Sequence, residues 1–511
     1  MDTFTLLIVC TALYLIGCAV IGIYTSRVKV TKPSDFFLAG HALGPIVLSL
    51  AMMATVFSAW FILGHQGLTW QLGFPYIAHY AHIPLMAMLG LLIFGRQWAV
   101  GKRNGFITPS EMYGTYYDSE LIRILVVIIA ALYAIPYVAL QLRGAGYVFN
   151  TLSGGKIDPT TGAVVLGVVV ILYVFLGGLK AAAITDTIQG ILLYLGGALL
   201  AITAVMILSN MSQGSGVVAQ WYKGIVAQGN SYITIPETGK IWSWPYILTI
   251  AIATAGIYTS PSYTMLTFAA SSPKIFKFQA FFIMALAMGF MYYIFSPLIG
   301  VGGKSIITKL ANSDALTLEL IFNHMSPWMF VVTALGILAA MNSTAAGYLA
   351  NTSTILARDV YCRYINPDAS PQRQVLMGRL MVLVIVLLAV IFSVSVLDYL
   401  VLLGTLATAF GMLMLPAILG VTYLPRITRA GVTAGLICGM IAVFLTYFYW
   451  RHPLGIHTGG WGLIVNSIVC FVVSSYTEKP SLERIKQTHG IWDKAVIEKI
   501  TVSNKQKSIQ A

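Results

Sequence analysis

Ser343 and Thr344 are adjacent, and Ala340 lies three and four residues before them, so on a helix the two hydroxyls and that carbonyl face one side. A small alkali cation stripped of water takes hard oxygen ligands of this kind, carbonyls and hydroxyls rather than sulfur. The alternative is that both hydroxyls bond back to their own helix, as membrane serines and threonines often do. A second candidate is Asp186, inside the polar stretch Gly177-Gly178-Leu179-Lys180-Ala181-Ala182-Ala183-Ile184-Thr185-Asp186-Thr187-Ile188-Gln189 between two apolar segments. A carboxylate at a bilayer boundary is costly without a positive partner, so it reads as functional, or else as a helix cap beside Thr185. Tyr137 and Gln141 are four apart and share a helix face, where they could meet a polar solute. Arg143 lies within an apolar segment and either pairs a solute carboxylate or snorkels to the interface. His79 and His82, three apart, could share a face; metal binding would require a further ligand close by.

The elements that must position these groups are membrane helices. The 511 residues are 58% hydrophobic and only 9% charged, with mean hydropathy +0.83, too few charges to cover a soluble domain of this size. The apolar runs reach about 20 residues, the length of a helix crossing roughly 30 Å of hydrocarbon. Hydropathy predicts about thirteen spans, from 4–24 to 459–476. The first is too long for a signal-peptide core and reads as a helix that stays. The net charge of +13 concentrates in alternate loops: Arg27/Lys29/Lys32, Arg96/Lys102/Arg103, Lys274/Lys277, Arg358/Arg363/Arg373 and Arg426/Arg429. That alternation is the positive-inside pattern, so the charge reports topology and not nucleic-acid binding. It places the N-terminus outside and the polar tail, 477–511, in the cytoplasm. Five cysteines show neither metal spacing nor a disulfide pattern. No Walker loop, nucleophile elbow or metalloprotease pair appears, which argues against ATP-driven transport and against an enzyme.

An odd number of spans with a cytoplasmic tail fits one leading helix followed by two halves of five, 43–208 and 244–422, within a single transmembrane domain, 1–476. Five crossings invert the second copy, and repeats of this kind place their site where the first helix of each half is broken. Those helices read as 43–68 and 244–268. Each carries small and polar residues at mid-span: Ala54-Thr55-Val56-Phe57-Ser58-Ala59-Trp60 and Gly256-Ile257-Tyr258-Thr259-Ser260-Pro261-Ser262. Pro261 removes a backbone donor, and unwound backbone at this depth is tolerated only inside protein.

With these features the chain resembles the sodium:solute symporter family, over about Phe4 to Tyr476. Phe36-Phe37-Leu38-Ala39-Gly40-His41-Ala42-Leu43-Gly44-Pro45, the Gly177-to-Gln189 hinge, and Ala339-Ala340-Met341-Asn342-Ser343-Thr344 running on to Arg358-Asp359-Val360-Tyr361 carry the resemblance. It implies an all-α, LeuT-like transporter that co-transports sodium with a small solute. It further implies that Ala54 and Phe57 carbonyls join Ala340, Ser343 and Thr344 as sodium ligands, and that Asp186 lies on the sodium exit route. Thr55, Ser58, Tyr137, Gln141, Tyr258, Thr259 and Ser260 are then the solute candidates. Helix N-termini exposed at the breaks favour a carboxylate-bearing solute, an organic acid or an amino acid. The proline-transporting branch carries an aspartate where this chain has Val56, which counts against proline. The expected partners are a small-molecule solute and the bilayer of a bacterial inner membrane, with no nucleic acid. Proton coupling in place of sodium, a transporter-like sensor module and a passive channel are the alternatives. Hydroxyls without a local carboxylate carry protons poorly.

Overall fold

The computed structural model describes residues 3–27, 31–212, 214, 216–395 and 400–489. Lys29 and most of the tail, 490–511, lie outside the described residues. Among the described residues the chain is helical, with one isolated parallel bridge between Leu43 and Ala270.

The order is α1 (Thr3–Ser26), the bent pair α2 (Pro45–Val56) and α3 (Trp60–Leu72), α4 (Phe74–Asn104), a short α5 (Pro109–Tyr116), α6 (Glu120–Leu152) and α7 (Pro159–Met211). The second series is α8 (Trp244–Thr259), α9 (Pro261–Ala269), α10 (Ile275–Ile306), α11 (Pro327–Ile365), α12 (Pro371–Ser395) and α13 (Leu400–Thr422). Then follow α14 (Arg429–Tyr449), α15 (Thr458–Tyr476) and the short α16 (Leu482–His489). Ten described helices are long and apolar enough to cross a bilayer, and the α2–α3 pair makes an eleventh. The expected thirteen is reached only by counting α7 twice and α8–α9 as one further span.

Local chemistry starts and stops these helices. Pro45, Pro159 and Pro261 occupy first turns, where a missing N–H costs nothing. Asp158 caps α7, accepting from Thr160 N at 2.9 Å and Thr161 N at 3.1 Å. Inside α7, Gly178 adopts φ 59°, ψ −147°, which splits its 53 residues into two crossings. A Cβ there would lie 2.8 Å from Phe36 O, so only glycine fits.

The start of α2 is stitched to the end of α9: Leu43 N donates to Ala269 O (3.3 Å) and Ser271 N to Leu43 O (3.0 Å). His41 Nδ1 adds a contact to Phe268 O at 2.9 Å. α11 packs most extensively on α7 and is buried over most of its length, which places Ser343 and Thr344 in the protein interior.

Candidate functional site

The first break leaves Phe57 extended (φ −72°, ψ 108°) between α2 and α3, whose axes bend by 54°. Its freed carbonyls turn toward α11. Ser343 Oγ donates within reach of Ala54 O and Ala340 O, both at 3.0 Å. Thr344 Oγ1 lies 3.1 Å from Ala54 O and 2.9 Å from Phe57 O. All five predicted oxygens therefore converge, and each parent residue is fully buried. Back-bonding alone does not describe the hydroxyls: Ser343 shares its reach between its own helix and α2, and Thr344 reaches Ala54 O at the end of α2 and Phe57 O in the break. Two hydroxyls and three carbonyls form an all-oxygen set suited to a hard cation. No group of three or more histidine, cysteine or acidic side chains among the described residues could hold a metal ion, so His79 and His82 make no such site.

A polar track runs from this cluster toward Asp186. Asn342, next to Ser343, accepts from Tyr173 (3.2 Å) and donates through Nδ2 to Tyr14 Oη (2.9 Å). Gln189 Nε2, three residues beyond Asp186, donates to the same Tyr14 Oη at 2.7 Å. Asp186 itself is 2% exposed, and its Oδ1 has no hydrogen-bond partner. Two expectations change here. The helix resumes after Gly178, so Asp186 lies well inside it and cannot cap its start; Thr185 instead bonds back to the Ala181 and Ala182 carbonyls. The positive partner also fails to appear, since no described salt bridge includes Asp186.

The solute candidates divide into two groups. Gln141 Oε1 accepts from the freed Ala59 N (2.8 Å) while its Nε2 donates to Tyr137 O (3.0 Å), which fixes the side chain across the break. Ser58 Oγ and Tyr137 Oη are buried without a well-formed partner, and the Tyr137 ring lies 6.2 Å from that of Trp60. Thr55 bonds its own helix at Ala51 O (2.7 Å) and lies beside Gly347 of α11. The second break holds the other three. Tyr258 accepts from Gln279 and packs on Phe94 (4.9 Å), Thr259 donates to Gly411 O (2.8 Å), and Ser260 donates to Ile257 O (2.7 Å). Arg143 rests on Tyr147, 3.2 Å from its hydroxyl through Nε.

Sequence reasoning missed most of the aromatic surroundings. Tyr133 and Tyr348 share a hydroxyl contact of 2.9 Å beside Tyr137, and His65 stacks on Trp60 at 5.3 Å. Lone tyrosines and histidines in apolar runs carry no spacing signal, so only the fold brings them together. Outside the spans, burial pushes the Asp314 carboxyl up to about 6, against the opposing effects of Leu400 N and the Arg143 charge.

The sodium:solute symporter family description matches residues 36–439. A Bacillus subtilis (strain 168) protein named as an uncharacterised symporter, YhjB, is 24% identical over 427 residues, covering 83% of this chain and 85% of its own. A sodium/proline symporter of Staphylococcus aureus (strain JH9) is 25% identical over 489 residues, 92% of each chain. Among solved structures, a sodium-coupled sialic acid symporter in a substrate-bound outward-open state superposes with TM-score 0.77 at 16% identity, covering 94% of this chain and 99% of that one. MhsT in complex with L-phenylalanine gives 0.54 at 15% identity, covering 84% and 98%. At these identities the structural likeness speaks for the fold alone.

Proposed function

The chain belongs to the sodium:solute symporter family, and from that premise we propose that it imports a small carboxylate-bearing solute with sodium by alternating access. The convergence of Ala54, Phe57 and Ala340 carbonyls on the Ser343 and Thr344 hydroxyls carries this reading. A cation there joins the broken helix to α11, and only sodium-loaded protein then gains that clamp. The hydroxyl hydrogens rotate away from the ion while the oxygens stay in place.

The solute lies across the same break. Ser58 and Tyr137 supply hydroxyls, Gln141 holds Ala59 in position, and the N-terminus of α3 gives a positive dipole end for a carboxylate. Thr55 lines the α11 side, and Tyr258, Thr259 and Ser260 act from the second broken helix, as that helix moves against the first. Each ligand raises the affinity of the other in the outward-facing state, which is the thermodynamic content of coupling. A potential of about 100 mV supplies roughly 2.3 kcal/mol per sodium, enough for over tenfold accumulation. The Asn342–Gln189 track then leads sodium toward Asp186 and the cytoplasm, where the buried carboxylate lowers the energy of the departing ion. The basic loops support a bacterial inner-membrane setting with the N-terminus outside, and inverted halves at 43–208 and 244–422.

The test is uptake by protein reconstituted in liposomes, with Ser343→Ala and Thr344→Ala as variants. The sodium concentration giving half-maximal uptake rises about tenfold or more in each. Unchanged sodium dependence in both variants would remove this site.

A further inference from the structure

A different group of side chains lies beyond the break. His65 of α3 and His79 and His82 of α4 place their ring centroids 5.6, 5.9 and 4.7 Å apart (65–79, 65–82 and 79–82), and all three residues are at most 1% exposed. Tyr292 of α10 packs at right angles against His82 (5.1 Å), and Tyr80 lies 5.1 Å from Tyr292. Trp60 stacks on His65 at 5.3 Å and so joins this group to the break.

Hydrogen accounting assigns the tautomers. A neutral imidazole carries one N–H and one bare acceptor nitrogen. His82 Nδ1 lies 2.9 Å from His79 O, and a carbonyl only accepts, so the His82 hydrogen is on Nδ1. Thr254 gives its single hydroxyl hydrogen to Ile250 O (2.8 Å), so its oxygen accepts from His79 Nε2 at 2.9 Å. The nitrogens left bare are His79 Nδ1 and His82 Nε2, on neighbouring rings, and both are buried without a partner. Buried acceptors in native proteins are almost always satisfied, so this pair calls for a donor.

We propose that His79 and His82 form an ammonium subsite, which selects an amine-bearing solute over a plain organic acid. Two bare imidazole nitrogens accept from an ammonium group, and the electron-rich Tyr76, Tyr80 and Tyr292 rings around them favour a cation. The inference rests on the symporter reading and narrows it: a carboxylate-bearing solute with an amine is an amino acid, of α, β or γ spacing.

The experiment measures binding to the purified full chain in sodium and in potassium buffer, with a panel of amino acids, including glycine and γ-aminobutyrate, each matched to its deaminated carboxylate. Amines that bind in sodium at least about tenfold tighter than their deaminated partners support the subsite. His82→Phe keeps a ring and removes both nitrogens; it weakens the amine about tenfold and leaves the sodium-induced thermal shift in place. Equal binding of both panel members, no amine binding at all, or an amine affinity unchanged in His82→Phe each overturns the subsite. If His82→Phe does not fold, the wild-type panel decides alone. Loss of every sodium effect in the wild type, with amines still selected, strikes the symporter reading and spares the subsite.

Discussion

At the scale of single residues, charge and hydroxyl placement separate binding from release. Asp186 is buried, has no salt-bridge partner among the described residues and lies beyond the Asn342–Gln189 track, so on the proposed exit route its loss acts on a step after binding. Asp186→Asn is expected to slow maximal uptake roughly tenfold while solute affinity changes little, and parallel binding and uptake assays read the split. Asp314 gives a pH signature. Burial raises its folded-state value to about 6, so the neutral form is favoured in the fold. Its contribution is fully present below the unfolded value near 4 and is lost as pH rises through about 6. Asp314→Asn keeps an acceptor for Leu400 N (3.3 Å) and should be the more stable protein at pH 7.5, by up to roughly 3 kcal/mol, with the gap closing by pH 4. Denaturant unfolding of both proteins at the two pH values measures this. The hydroxyl pair was legible in the sequence because helical spacing alone puts Ala340, Ser343 and Thr344 on one side. The capping role weighed for Asp186 failed because nothing local marks where the helix resumes after Gly178.

At the scale of elements, the breaks position the candidate site. The second was easy to read, since Pro261 interrupts an apolar run. The first has no proline, and its signal is a run of small and polar residues whose unwinding depends on α11 and Gln141 receiving the freed groups. The histidine group shows the opposite limit. His79 and His82 share a helix face by spacing, but His65 reaches them only through the bend between α2 and α3. Gly178 is the hinge whose geometry is most tightly determined. With φ 59° and Phe36 O 2.8 Å from any added Cβ, Gly178→Ala has neither the backbone region nor the space. It is expected to cost about 1–3 kcal/mol, seen as a lower unfolding midpoint in detergent. An unchanged midpoint would mean that α7 does not turn at this residue in solution.

At the scale of the whole molecule, the proposed alternating access requires one end to be held shut while the site is intact, and a set of ion pairs offers a candidate for that closure. Glu111 of α5 takes Arg358 of α11 at 2.6 Å, and Arg358 also donates to Gln374 of α12 at 2.8 Å. Arg123 of α6 pairs with Asp359 at 3.0 Å, with side-chain exposures of 10% and 0%. Glu120 takes Arg363 at 2.6 Å. These bonds join four helices at the end where the basic loops lie, the end proposed to face the cytoplasm. Buried pairs of this kind add little net stability, because desolvation offsets the attraction, although removing one partner alone costs about 3–5 kcal/mol. That asymmetry separates a latch from a brace. Asp359→Asn leaves Arg123 with only the half-exposed Glu120 carboxylate, 3.4 Å from its Nε, in place of its buried partner, and should destabilise the protein. The paired replacement Arg123→Met with Asp359→Leu removes both charges and fills the space, so its unfolding midpoint should return close to wild type. If the pair serves to hold and release the inner end, uptake stays low in the paired replacement despite restored stability, because an apolar contact does not open to water as an ion pair does. Uptake that recovers together with stability would assign the pair to structure alone, and the closing of the cytoplasmic side would have to be sought in Glu111 and Arg358.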